Sequence, residues 1–190
     1  MEENRETHHL KRIFIVSLFG SITFVVNIFL LSLPPPINYM FIAPLAVLLA
    51  LSGLFIKKIG STYAGAIGGL LTALGSPGLG LLTFIASILF GALIDTSLYV
   101  FRVKKSPLEI SRNRLIVAIA VSTMIIGITT YTASTTFPEY INLPNMMFFI
   151  ERSFLLDIMV MFMGPATGAT AGYASAYLWN KHLKSIAQII

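Results

Sequence analysis

Apolar residues run along this chain in long blocks, separated by short polar or proline-rich breaks. The blocks are Ile13–Leu33, Tyr39–Ile56, Ser61–Leu74, Leu79–Phe101, Leu115–Thr135 and a longer stretch from about Met146 to Trp179. A helix rises 1.5 Å per residue, so about 20 residues cross a hydrocarbon core of about 30 Å. Five blocks fit one span each, although the third is short. The last is too long for one upright span, and reads as a tilted helix that protrudes or as a surface segment, 146–152, leading into a span. The breaks carry helix-ending chemistry: Pro34-Pro35-Pro36, Gly75-Ser76-Pro77-Gly78, and Pro138 with Pro144. Backbone groups in lipid must be satisfied within the segment, and the period-two alternation of barrel strands is not seen, so the blocks predict helices.

Composition points the same way. Of the 190 residues, 56% are apolar and 11% charged, against about a quarter charged in a soluble domain. The net charge of +5 is not a nucleic-acid signature, because the cations sit in short clusters between apolar blocks. Arg5, Lys11 and Arg12 precede the first block. Lys57 and Lys58 follow the second, Arg102, Lys104, Lys105, Arg112 and Arg114 follow the fourth, and Lys181 and Lys184 follow the last. Only Arg152 falls on the other side. This alternation predicts an all-α integral membrane bundle of six transmembrane helices with both termini cytoplasmic. Residues 1–12 are then a cytoplasmic tail, with Met1–Thr7 expected to be disordered. Residues 13–180 are the six-helix domain and 181–190 a second cytoplasmic tail. The first block is too long for a cleavable signal and lacks a small-residue cleavage site. Trp179 beside Lys181 reads as an interfacial anchor.

Small residues recur at four-residue spacing in Ser61, Gly65, Gly69 and Ala73, and again in Gly164, Gly168, Gly172 and Ala176. Each set shares one helix face, where close backbone approach within the bundle is expected. Ser17, Gly20 and Ser21 form a weaker patch, for packing within the chain or for a partner.

Ionisable groups within spans are costly and therefore informative. Asp95 lies seven residues before Arg102. It is either a carboxylate that reaches a helix end or nearby cations, or a lining group or partner contact. On the outer side fall Glu139, Glu151, Arg152 and Asp157, with Asn38, Tyr39, Tyr131, Asn142 and Asn145. Asp157, set between Leu155-Leu156 and Ile158-Met159, is the strongest candidate for a ligand contact. Cysteine is absent, and so are a phosphate-binding loop, an H-e-x-x-H zinc motif and a serine-nucleophile elbow. The only histidines are His8, His9 and His182, outside the blocks. No metal site, cofactor or catalytic activity is expected.

Several stretches together carry a resemblance: Ile42-Ala43-Pro44 opening the second helix, Lys57-Lys58 at its turn, and the glycine-rich Ala64-Gly65-Ala66-Ile67-Gly68-Gly69-Leu70-Leu71. The turn Leu74-Gly75-Ser76-Pro77-Gly78, Gly91 with Asp95 ahead of Phe101-Arg102, and Gly164–Gly172 add to it. The chain resembles the substrate-binding S components of energy-coupling factor (ECF) transporters, most closely the hydroxymethylpyrimidine/thiamine-type group. The resemblance implies a vitamin or vitamin-precursor binder without its own motor, associated with a transmembrane coupling subunit and ATPase subunits. It implies a gate at Leu33–Tyr39 and a pocket in the outer half. Asp157 and Glu151 would supply charge or hydrogen bonds, Arg152 the counter-charge, and Tyr39, Tyr131, Phe148 and Phe149 stacking, with Asn38 and Asn145 beside them. Where that family carries Ala-x-x-x-Ala for its partner, this chain offers Ser17-x-x-x-Ser21 with Gly20. Two other readings stay open on the sequence: a self-sufficient carrier or channel, and a structural membrane protein without a ligand.

Overall fold

The computed structural model describes residues 2–33, 41–56, 59–75, 80–104, 109–136 and 154–189. The protein is all-helical. In chain order the helices are α1 (Glu2–Ser32), α2 (Ile42–Phe55), α3 (Gly60–Gly75), α4 (Gly80–Val100), α5 (Arg112–Thr136) and α6 (Phe154–Leu178). A π-helical turn, Trp179–Leu183, then leads into the short α7 (Lys184–Ile189). Among the described residues three segments are long and apolar enough to cross a membrane: Leu10–Leu30, Thr83–Val100 and Arg112–Thr132. α2 is a shorter apolar helix of 14 residues. The expected surface segment 146–152 lies outside the described residues.

Helix ends follow local chemistry. α1 stops just before the triple proline, where the preceding residue is driven out of helical conformation. Its last turn tightens as Leu33 N–H donates to the Leu30 carbonyl at 3.4 Å. α4 closes in a Schellman motif. Val103 N–H reaches back to the Leu98 carbonyl at 3.1 Å and Arg102 N–H to that of Tyr99 at 3.0 Å. Arg102 occupies the left-handed position with φ 47°, a place that glycine usually fills.

Two expectations are corrected. The segment expected to be a disordered tail is helical, since α1 begins at Glu2 and runs unbroken into the first apolar block. After α6 the chain continues as the π turn and α7. Trp179 is no interfacial anchor: it is 1% exposed and meets Phe55 edge-on at 5.2 Å, with Phe55 in turn 5.9 Å from Phe19. Buried apolar area outweighs the interfacial preference of an indole when the bundle offers an aromatic slot.

α2 lies at the centre, with Leu45, Leu49, Leu51 and Leu54 buried. Around it stand two glycine-mediated sets. Gly65 and Gly69 bring α3 against Ser87, Gly91 and Phe84 of α4, while Gly68 of the same helix meets Thr23 of α1. Gly164, Gly168 and Gly172 bring α6 against Met124, Ala120 and Ile116 of α5. Both sequence stripes therefore pack within the chain. Missing side chains let helices approach closely enough for dispersion to replace the hydrophobic drive that lipid does not provide. Thr123 reinforces the second pair, donating its hydroxyl to the Gly164 carbonyl at 2.9 Å.

Candidate functional site

The ends of α2 and α4 and the starts of α3 and α5, with Arg102, Lys104, Arg112 and Arg114, meet at one end of the bundle, here termed the basic end. At this end two charged side chains serve the start of α3 and the end of α2. Asp95 of α4 is 9% exposed, and its carboxylate accepts hydrogen bonds from Ser61 N–H at 3.1 Å, Thr62 N–H at 2.8 Å and the Thr62 hydroxyl at 2.7 Å. It thus caps the first turn of α3, where unpaired N–H groups and the positive pole of the helix dipole favour an anion. Lys104 does the converse for α2, donating to the Leu54 carbonyl at 2.6 Å and that of Gly53 at 3.4 Å. An isolated antiparallel bridge pairs Lys104 with Ile110, beside the end of α2. The reading of Asp95 as a carboxylate that reaches a helix end is realised in this geometry. Asp95 and Lys104 also line a cavity of about 710 Å³ with Thr62, Tyr99 and Arg102, but their charged atoms are committed to the two helix ends.

Of the residues that the sequence singles out for a ligand, two fall on described helices, Tyr131 on α5 and Asp157 on α6. Asn38, Tyr39, Asn145, Glu151 and Arg152 lie outside the described residues, as does the expected gate at Leu33–Tyr39 beyond Leu33 itself. Tyr131, near the end of α5, is 7% exposed. Asp157 stands in the first turn of α6. The contacts of Gly172 with Ile116, Gly168 with Ala120 and Gly164 with Met124 set an antiparallel register. Continued by two turns on each helix, it brings the Asp157 backbone level with Tyr131. The partner patch divides: Ser17 and Ser21 are exposed, whereas Gly20 packs against Ile67 and the Ala64 carbonyl of α3.

A second polar group on the far half escaped the sequence reading. Asn27 of α1 is 6% exposed. Its amide nitrogen lies 3.4 Å from the Thr72 hydroxyl and 3.5 Å from that of Ser87, at the long limit for a hydrogen bond. One turn away on the same face, the Thr23 hydroxyl is fully buried and has no hydrogen-bond partner among the described residues. Asn27, Thr72 and Ser87 therefore bring polar groups from α1, α3 and α4 together in an apolar interior through long contacts, while the Thr72 hydroxyl also donates to the Gly68 carbonyl at 2.7 Å. The sequence signal existed: an asparagine inside an apolar segment, Leu10–Leu30, is a polar group buried at a desolvation cost unless it is hydrogen-bonded. Among the described residues no cluster of three or more His, Cys, Asp or Glu could hold a metal. No protein-family model, curated protein or solved structure matches this chain.

Asn27→Leu separates structure from binding at this cluster. Leucine has nearly the same shape, and removing an amide with only stretched hydrogen bonds is expected to change stability by less than about 1 kcal/mol. If the cluster contacts a ligand, affinity falls about tenfold, the equivalent of one hydrogen bond. Thermal melting and calorimetric titration of the same purified variant read the two effects separately.

Proposed function

We propose that this chain is the membrane-embedded substrate-binding subunit of an ECF-type importer. It crosses the bilayer six times with both termini in the cytoplasm. It captures a vitamin or vitamin precursor, thiamine-related favoured, from outside and passes it on through a transmembrane coupling subunit and ATPase partners. The observation that carries this reading is the set of buried polar side chains Thr23, Asn27, Thr72 and Ser87 in the half of the bundle away from the basic end, where Thr23 has no hydrogen-bond partner among the described residues and the Asn27 amide makes only long contacts. Ligand sites are concave and mainly apolar with a few placed polar groups, and a polar group in the hydrocarbon region is retained against a cost. Asp157 and Tyr131 at one level of the α5–α6 pair add a carboxylate and an aromatic ring to the same end. α2, α3 and α6 pack among the three longest apolar spans, and the alternation of basic clusters supports six crossings with that orientation.

The test is purification in detergent, identification of any co-purified small molecule by mass spectrometry, and calorimetric titration with thiamine and its pyrimidine precursor. Asp157→Asn and Glu151→Gln are each expected to weaken binding by about tenfold or more. Binding of no solute, with no coupling subunit or ATPase co-purifying from the native membrane, overturns the function. Unchanged affinity in both variants overturns the site alone.

A further inference from the structure

Where α6 ends beside the start of α5, a groove of about 270 Å³ is lined by Arg112, Tyr173, Ala176, Tyr177, Asn180 and Lys181. Its two cations are held by aromatic rings. The Arg112 guanidinium lies 4.3 Å over the Tyr173 ring. Lys181 Nζ lies 5.0 Å from the Tyr177 ring centre and donates to the Tyr177 hydroxyl at 2.6 Å. No acidic residue lines the groove. Among the described residues the Arg112 guanidinium has no ion pair or side-chain hydrogen bond, so its planar fork of donors faces the groove uncommitted. The ring face fixes the guanidinium without consuming its N–H groups, which leaves a preorganised site for a tetrahedral anion.

We propose that this groove binds the phosphate of an anionic diacyl phospholipid in the leaflet at the basic end. Three observations favour a lipid over a soluble anion. Tyr173 and Tyr177 are about half exposed, at 50% and 49%, and present the amphipathic rings typical of headgroup depth. Above the groove, α5 leaves Val117 and Ile125 at 46% and 43% exposure, one face along which an acyl chain can lie while its phosphate meets Arg112 and Lys181. Asn180 supplies an amide for a glycerol or second phosphate oxygen. Recognition is then joint: charge for the headgroup, exposed apolar side chains for the tail. This site stands apart from the far-end cluster, so its failure leaves the importer reading untouched, and the reverse.

Native mass spectrometry of the full chain in detergent, titrated with phosphatidylglycerol or phosphatidylcholine, tests the proposal. Retained phosphatidylglycerol adducts should exceed those of phosphatidylcholine. The R112Q/K181Q variant should lose that preference by about fivefold for each cation, while R112K/K181R keeps most of it. Both cations are exposed, so circular dichroism should report unchanged helicity; should the double variant not fold, K181Q alone carries the comparison. Equal retention of the two lipids by the wild type overturns the proposal. So does full retention of phosphatidylglycerol by a folded neutral variant. Inorganic phosphate that raises the melting temperature as much as phosphatidylglycerol would reassign the groove to a soluble anion.

Discussion

Asp95→Ala is expected to lower stability by about 3 kcal/mol, making it one of the two most damaging single changes in this protein. The carboxylate is buried, and it satisfies the N–H groups of Ser61 and Thr62 together with the Thr62 hydroxyl. A hydrogen bond to a charged group contributes about 1.5–3 kcal/mol, but the three share one acceptor and do not add in full. Alanine leaves the first turn of α3 without an acceptor where water reaches poorly, and removes the anion that complements the helix pole. It also opens space beside Gly53, whose missing side chain is what admits Ser61 and Asp95 to the end of α2. The loss corresponds to a fall in melting temperature of about 6–12 °C for a chain of this size. Asp95→Asn should fall between, since its single amide oxygen can serve one of the two N–H groups while its NH2 opposes the other. A melting temperature for Asp95→Ala within about 2 °C of wild type would show that the cap is incidental.

Gly168→Val should be equally severe for the opposite reason, because it adds atoms where none fit. A side chain at Gly168 meets the Thr123 hydroxyl, the Ala120 Cα and the Ile119 carbonyl. Two of these are backbone and cannot rotate away, so α5 and α6 must separate. That weakens the Thr123–Gly164 hydrogen bond and the neighbouring contacts at Gly164 and Gly172, with an expected cost of about 3 kcal/mol. Gly127 of α5 is the internal control, as nothing lies within 4 Å of a Cβ placed there. Gly127→Ala should be neutral or stabilising by up to about 1 kcal/mol, since alanine is the better helix former. The same class of substitution, in the same helix pair, therefore changes sign with the space available. Fluorescence-detected melting of the two variants side by side decides it; equal melting temperatures would refute the packing account.

The helical class of the fold was legible because it needs only block length, the proline and glycine breaks, and the requirement that backbone groups in lipid bond locally. The glycine stripes announced tight packing for a similarly local reason, four-residue spacing on one face. Which helix each stripe meets was not legible, because α3 carries glycines on two faces: Gly65 and Gly69 toward α4, Gly68 toward α1. The candidate site was legible in part. Asp95, Asp157 and Tyr131 stand out as polar or aromatic groups in apolar surroundings. Asn27 carries the same signal but acquires meaning only when Thr72 and Ser87 arrive from helices 45 and 60 residues away.

By itself, then, the sequence of this protein determined the helices, their breaks, the gathering of cations at alternate connections and the small-residue faces, all of which depend on residues within a turn or two of one another. Tertiary structure alone decided that Asp95 and Lys104 serve the two helix ends at the α2–α3 turn and that Trp179 packs inward on Phe55. It also decided that Gly20 faces α3 while Ser17 and Ser21 do not. Each of these depends on which distant group fills the neighbouring space, and burial, not local propensity, sets what a charged, aromatic or small residue does there.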